Sequence, residues 1–253
     1  LMSASLSARA DRARDIAAGT EAIFNDAVAA LAAAAEAGVS QGLLAALPES
    51  APIQSRMIDA LPRLAIDVTA EKDGPLCLFL HGIGGARQNW QRQLAAIGHH
   101  TRAAALDLRG YGDSTLGPRQ STVDDYCADI LRVAEVLGAD KLILVGLSYG
   151  SWIATSFAMR HPDRLAGLVL SGGCTGMSEA GASEREAFRV SREVPLNAGQ
   201  VPADFAPAVV NVIAGPNANT EVRAELQASM AAIPASTYRD ALICFTNPLE
   251  KFD

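Results

Sequence analysis

A serine lies between two glycines in the segment GLSYG (146–150), which follows the apolar run KLILV and precedes an apolar-periodic stretch. This context predicts a sharp strand-to-helix turn that strains the backbone of Ser148 and exposes its hydroxyl at a helix N-terminus. The flanking glycines are expected because a side chain at either position would collide with the neighbouring strand or helix. A serine presented in this way is suited to nucleophilic attack on a carbonyl carbon.

Attack on a carbonyl also requires two N–H donors aimed at the oxyanion that forms. We expect one from the amide of Tyr149, directly after the serine, and the other from the amide of Ile83 in the loop HGIGG (81–85). His81 is expected to hold this loop in place. A catalytic base must lie within hydrogen-bond distance of the serine oxygen, and His81 is not expected to do so. The residues predicted to contact the substrate are Gly82, Gly84 and Trp90.

The elements that must position these loops form an alternating pattern. Apolar runs typical of strands alternate with helical patterns, and the runs are LCLFL (76–80), RAAALD (102–107), KLILV (141–145) and RLAGLVLS (164–171). Such alternation predicts a parallel sheet with right-handed crossovers, preceded here by two short strands that turn at Leu61 and Pro62. Ligands of open α/β sheets bind beyond the carboxyl ends of the strands, where both loops are expected.

HGIGG, Trp90, DLRGYGDS (107–114), GLSYG and HPDRL (161–165) together resemble the α/β-hydrolase family, in the family's order and spacing. They look most like the enol-lactonase and ester hydrolase branch. The resemblance implies a mostly parallel α/β-hydrolase sheet, a helical cap after the strand ending near Ser171, and a bracing role for Asp107 and Arg109. Serine at 148 argues against the epoxide hydrolase and haloalkane dehalogenase branches, whose nucleophile is a carboxylate.

Composition divides the chain into a helical extension (1–50), the N-terminal part of the hydrolase core (51–172) and a helical cap (173–253). The extension has an apolar stripe of Phe24, Val28 and Leu31. We expect it to pack outside the core, away from the site, and a homodimer contact is the alternative. Prolines are expected to separate the cap helices, namely Pro195, Pro202, Pro207, Pro216 and Pro234.

The family's chain order is serine, then an acid, then a histidine. The histidines here are His81, His99, His100 and His161, and none stands where the family places its base. We therefore expect the acid and the base beyond Asp253, in a longer protein. The alternative is a product that ends at Asp253 and binds a ligand without catalysis.

Composition limits the partners. The 253 residues have a net charge of −7, so nucleic acid is not expected to bind, and no apolar stretch is long enough to cross a membrane. No metal cluster, phosphate loop or C-x-x-C pair is present, so no cofactor and no metal are expected. The N-terminus lacks a secretory pattern, which predicts a cytoplasmic protein.

The predicted function is a serine hydrolase that cleaves a small carboxylic ester or (enol-)lactone through an acyl-enzyme on Ser148. A C–C bond hydrolase of aromatic-ring-cleavage products and a non-catalytic ligand-binding protein are the alternatives. In the cap, Arg185, Arg189 and Arg192 share one helix face. They are interpreted either as a solvated surface or as a clamp for a substrate carboxylate.

Overall fold

The computed structural model describes residues 52–173 and 175–247. The predicted helical extension (1–50) and the last residues of the predicted cap lie outside this part of the chain. The placement of the extension and its homodimer alternative therefore stay predictions.

A six-stranded sheet forms the centre of the described part, with the strand order β1-β2-β4-β3-β5-β6. The strands are β1 (Ile53–Ile58), β2 (Leu64–Thr69), β3 (Leu76–Leu80), β4 (Ala103–Leu106), β5 (Leu142–Leu147) and β6 (Leu165–Ser171). β1, β2 and β4 pair antiparallel, whereas β4, β3, β5 and β6 run parallel. The mostly parallel α/β sheet predicted from the alternating pattern is confirmed.

Helices cover both faces of the sheet. They are α1 (Gln91–Ile97), α2 (Val123–Val136), α3 (Tyr149–Arg160), α4 (Ala182–Asn197), α5 (Pro202–Ile213), α6 (Thr220–Ala231) and α7 (Ala235–Thr246). Sequence signals set several of the ends. The hydroxyl of Thr122 accepts the N–H of Asp125, and the Asp125 carboxylate accepts the Thr122 N–H, so α2 begins with a capping box. Within the described residues, no helix combines the length and the apolar character needed to span a bilayer.

The two-residue period of the strands divides the core into two clusters. In β3, Leu76, Leu78 and Leu80 point into the larger cluster with α2, α3 and the cap helices. Cys77 and Phe79 point the other way, into a smaller cluster with α1. Because every residue of β3 is buried, its sequence is a continuous apolar run instead of an alternating one.

Two of the proline expectations are wrong. Pro195 lies inside α4 and Pro207 lies inside α5, so neither residue separates helices. Each proline lacks an N–H and gives up one helical hydrogen bond, a loss that the packing of the surrounding helix outweighs. Pro202 and Pro234 do mark helix starts, at the first residue of α5 and at the N-cap of α7.

The strand register brings the predicted loops to one edge of the sheet. Leu80, the last residue of β3, pairs with Leu106 on one side and with Gly146 on the other. The loops that follow these strands therefore leave the sheet at the same level, and they contain HGIGG, DLRGYGDS and GLSYG.

Candidate active site

Ser148 occupies the turn between β5 and α3 with a strained backbone. Its φ is 53° and its ψ is −111°. Within the described part of the chain, no other residue except glycine has a positive φ. Its N–H donates to the carbonyl of Ser171 at 2.7 Å, which ties the turn to β6. Ser151 is buried behind it and bonds both the Gly146 carbonyl, at 2.6 Å, and the backbone of Ser171. The turn is thus held from both sides while Ser148 itself stays exposed.

The glycines of GLSYG are required by close approach. A Cβ on Gly146 would lie 2.7 Å from the Ser151 Cα and closer still to the Gly150 carbonyl. A Cβ on Gly150 would lie 2.8 Å from the His81 carbonyl oxygen and would overlap the carbonyl of Leu80. Both sets of neighbours are backbone atoms, which cannot move aside without moving the sheet or the helix. The collision expected from the sequence is therefore present.

The two predicted oxyanion donors have N–H groups without a partner. Within residues 52–173 and 175–247, no acceptor bonds the backbone N–H of Ile83 or of Tyr149. The loop around Ile83 is closed by the Gly85 N–H, which donates to the Gly82 carbonyl at 3.0 Å. Gly82 lies beside the serine, because a Cβ built on it would be 3.5 Å from the Ser148 Cβ. The Tyr149 amide directly follows Ser148 in the chain and the Ile83 amide directly follows Gly82, and their role as an oxyanion hole stays a prediction.

Both ring nitrogens of His81 are occupied. Its Nε2 accepts the Leu108 N–H at 3.1 Å, so its Nδ1 carries the proton and donates to the Gly82 carbonyl at 2.8 Å. The ring also stacks edge-on against Tyr111. Burial lowers the pKa of His81, although the Gly82 carbonyl and the Asp107 carboxylate act in the opposite direction. A neutral ring with both nitrogens engaged holds the loop and cannot take a proton from Ser148.

Asp107 and Arg87 join the loops on the two sides of His81. Asp107 accepts the Arg87 N–H at 2.7 Å and the Asp113 N–H at 3.0 Å, and it pairs with the Arg87 guanidinium. The same guanidinium reaches Asp67 at 3.0 Å and Asp113 at 2.7 Å. Asp107 therefore braces the loop after β4, as the family resemblance implied. Arg87 was missed, because nothing in its local sequence signals pairing with carboxylates from β2 and β4.

Arg109 braces the same loop from the other end. Its Nε donates to Asp129 at 2.8 Å, and its guanidinium lies 5.6 Å from the centre of the Tyr126 ring. Both partners belong to α2, so Arg109 fastens the loop to that helix. The bracing role expected for Arg109 matches this geometry.

Cap helix α6 lies directly on the HGIGG loop. The Ser229 hydroxyl is 3.2 Å from the Gly84 carbonyl, and a Cβ on Gly84 would be 3.5 Å from the sulfur of Met230. On the outside, Arg92 of α1 pairs with Glu225 of α6 at 2.9 Å. Gly84 therefore faces the cap, and its predicted substrate contact stays untested.

Trp90 and two of the cap arginines make contacts with side chains of the protein itself. The Trp90 ring packs 4.9 Å from Phe79 in the cluster on the α1 face, so the prediction that it binds substrate gains no support. Arg189 pairs at 2.7 Å with Glu186 and with Glu193. Arg192 lies over the Phe188 ring at 3.4 Å. This arrangement favours the solvated-surface interpretation of the arginine face.

No other histidine of the described residues is placed near Ser148. His161 follows the last residue of α3, and a helix of 12 residues is about 18 Å long. His99 and His100 follow α1 and precede β4, at the edge of the sheet opposite the active-site loops. Within residues 52–173 and 175–247, no His, Cys, Asp and Glu side chains are grouped as a metal site. The described residues thus contain the predicted nucleophile, Ser148, and the two amides predicted to hold the oxyanion, and these roles stay predictions.

A family model described as alpha/beta hydrolase fold matches residues 75–239. Epoxide hydrolase B of Mycobacterium tuberculosis is 35% identical over 106 residues, which cover 41% of this chain and 30% of that protein. The chain thus spans less than a third of this curated relative.

Solved structures of the same fold are also similar. A thermophilic esterase from Thermogutta terrifontis superposes with a TM-score of 0.64 at 24% identity, over 77% of this chain and 73% of that one. The enol-lactonase from Burkholderia xenovorans LB400 superposes with a TM-score of 0.61 at 19% identity, over 76% of this chain and 74% of that one. At these identities the likeness concerns the fold alone.

Proposed function

Because the chain belongs to the alpha/beta hydrolase fold family, we propose that it is a serine hydrolase that cleaves a small carboxylic ester or lactone. The observation that supports this most directly is the turn at Ser148. An exposed serine in a strained conformation lies at the start of α3, and N–H groups without a partner border it. Strain of this kind costs on the order of 1–3 kcal/mol and persists where function needs it.

In the proposed mechanism, the Ser148 oxygen attacks the carbonyl carbon of the substrate. The amides of Ile83 and Tyr149 donate to the oxyanion of the tetrahedral intermediate, and the N-terminal end of α3 adds its positive potential. The alcohol leaves, an acyl-enzyme remains on Ser148, and water hydrolyses it. A base must take the serine proton and later activate water, and we assign it to residues outside the described part.

The curated relative bears the name of an epoxide hydrolase, and serine at 148 argues for a different substrate. A serine oxygen that opened an epoxide would form an ether, which water does not cleave under mild conditions. A serine oxygen that attacks an ester forms a new ester, which water cleaves readily. Only the second route regenerates the nucleophile, so we favour esters and lactones over epoxides.

The proposal is tested by labelling the complete protein with an activated phosphonate and mapping the modified peptide by mass spectrometry. We expect one adduct, on Ser148, and none in Ser148→Ala. Ser191→Ala is the matched control, because Ser191 is an exposed serine on cap helix α4 with no role in the site. A protein that stays unlabelled, or one labelled equally in Ser148→Ala, would overturn the proposal.

Substrate class is then tested with a panel of aryl esters, an enol-lactone, a dienoate ring-cleavage product and a styrene-type epoxide. We expect turnover of the esters or the lactone that disappears in Ser148→Ala. Turnover restricted to the dienoate would favour the C–C bond hydrolase alternative. A protein that is neither labelled by the phosphonate nor active on any compound of the panel would favour the ligand-binding alternative.

A further inference from the structure

The side chain of Tyr149, the residue after Ser148, is buried among side chains from three helices. It is 1% exposed. Between ring centres, Tyr149 lies 5.7 Å from Tyr126 of α2, 5.4 Å from Trp152 of α3 and 5.5 Å from Phe245 of cap helix α7. Aromatic neighbours on a core helix, on the helix of Tyr149 itself and on the cap therefore hold the ring in place.

The hydroxyl of Tyr149 is held as well as its ring. It is paired with the Tyr126 hydroxyl and with the Cys244 thiol of α7. Hydroxyls and thiols both donate and accept hydrogen bonds, so the three groups satisfy one another in a chain. Burial raises the pKa of Tyr149 well above its ordinary value and that of Cys244 to about 12, so both groups keep their protons. These three side chains, here called the tyrosine bridge, connect α2 of the core to α7 of the cap.

The backbone of Tyr149 shares a peptide plane with the strained residue before it. The Ser148 N–H is bonded to the Ser171 carbonyl, which fixes the chain on the side of β5. The Ser148 carbonyl accepts the Ser151 N–H at 2.9 Å, so the Tyr149 N–H, on the opposite side of the same planar group, points away from the helix. A strained residue persists only where its surroundings hold it. On the side of α3, the Cα of Tyr149 bears the buried side chain that does so.

We infer that Tyr126 and Cys244 are positioning residues for the proposed hydrolysis, because through the Tyr149 side chain they fix the direction of the Tyr149 amide. This inference rests on the proposed function, in which that amide is one of two oxyanion donors. A donor stabilises the transition state only when it is aimed at the oxyanion, and complete loss of one donor costs about 10²–10³-fold in kcat. A residue of cap helix α7 therefore influences the rate through the core.

Kinetics of the complete protein test the inference. Tyr126→Phe and Cys244→Ala each remove one partner of the Tyr149 hydroxyl and leave Ser148 and both amides in the chain. For the best ester we expect kcat to fall about tenfold in each variant while KM changes less than about twofold, because the oxyanion forms only in the transition state. Cys244→Ser restores a group that can bond the hydroxyl and should keep kcat. A lower Tm with unchanged kcat would identify a purely structural role and overturn the inference.

A double-mutant cycle asks whether the effect passes through the Tyr149 hydroxyl. In a Tyr149→Phe background, Tyr126→Phe should change kcat by less than about twofold, whereas the effects of independent sites would multiply. Multiplied effects would contradict the inference. Tyr238→Phe is the matched control, since it removes a hydroxyl from the same cap helix, where the Tyr238 ring packs against Phe205. Its kcat should equal that of the parent protein.

The rate of phosphonate labelling separates this inference from the proposed function. Labelling of the parent protein on Ser148, with slower labelling of Tyr126→Phe and Cys244→Ala, supports both. Equal labelling rates in the parent protein and the two variants would overturn the positioning role and leave the proposed function intact. A parent protein that is not labelled at all would overturn both.

Discussion

A methyl group added at Gly82 should reduce catalysis while leaving the fold intact. The new Cβ would lie 3.5 Å from the Ser148 Cβ and 3.5 Å from the Leu147 carbonyl oxygen, which are ordinary contact distances. Gly82 is not among the glycines with positive φ, so alanine fits its backbone. We therefore expect Gly82→Ala to change the free energy of unfolding by no more than about 1 kcal/mol.

The same methyl group occupies space beside the nucleophile, where a carbonyl carbon must come within about 3–3.5 Å of the serine oxygen. Displacing the substrate by about 1 Å costs about 100-fold in rate. We thus expect kcat/KM for the best ester to fall about 100-fold, or about 2.7 kcal/mol of transition-state stabilisation. The phosphonate labelling rate should fall with it, since the phosphoryl oxygen needs the same amides.

The assay compares initial rates and urea unfolding for the complete protein, Gly82→Ala and Gly181→Ala. Gly181 is a suitable control, because its φ of −64° suits alanine and a Cβ there would meet open space. Gly181→Ala should keep both stability and rate. A Gly82→Ala protein with unchanged kcat/KM would refute the reasoning, because the substrate carbonyl would then not pass the HGIGG loop.

The remaining predictions concern strain, buried charge and pH. The free energy of unfolding of Ser148→Gly, measured with urea, should exceed that of Ser148→Ala by roughly 1 kcal/mol or more, because only glycine adopts a positive φ without strain. Both variants should lose turnover. A Ser148→Gly protein that is less stable than Ser148→Ala would contradict the strain. Arg87→Met should lower the free energy of unfolding, measured with urea, by about 3–5 kcal/mol, because it leaves Asp107 buried without its counter-ion. A decrease below about 1 kcal/mol would mean that the ion pairs of Arg87 do not stabilise the fold. Burial lowers the pKa of His81 in the folded protein below its value in the unfolded chain, so the unfolded chain takes up this proton at a higher pH than the folded protein does. The free energy of unfolding should therefore fall as the pH drops below about 6.5. Above that pH, His81 should not make it depend on pH. Urea unfolding from pH 7.5 to pH 5 measures how the free energy of unfolding changes with pH. This pH dependence should disappear in His81→Asn and persist in His161→Gln. An equal pH dependence in both variants would assign it to another group.

Local patterns were sufficient to predict the sheet and the turn at Ser148. The runs LCLFL and KLILV are continuous because β3 and β5 are interior strands with parallel neighbours on both sides, and such runs are typical of parallel strands. The glycines of GLSYG predicted close approach, and the backbone atoms they meet belong to β3 and α3. In both cases the information lies within a few residues of the chain, so a single sequence reveals it.

Long-range pairing could not be predicted in the same way. Arg87 is one arginine among many in the sequence, and only the pairing of β2 and β4 brings Asp67 and Asp107 to it. Trp90 was assigned to the substrate pocket by its closeness to HGIGG in the sequence. The short helix after that loop packs the Trp90 ring against Phe79 on the α1 face of the sheet, and its substrate contact stays a prediction. Side-chain direction depends on helix phase, and a shift of one or two residues reverses it.

The contacts between cap and core occur at glycines of the loops that surround Ser148. Met230 of α6 lies against Gly84, and Thr237 of α7 lies against Gly110, where a Cβ would be 2.8 Å from the Thr237 hydroxyl. A side chain at Gly110 would collide with Thr237 and push α7 away from the loop, whereas a Cβ at Gly84 would meet Met230 at the ordinary contact distance of 3.5 Å. The lack of a side chain at Gly110 thus lets α7 rest on the loop after β4, while Ser229 and Met230 place α6 against the HGIGG loop, which contains the proposed oxyanion donor Ile83. Cap sequence and loop geometry are therefore coupled, and changes in α6 should alter catalysis through the loop even where they touch no substrate.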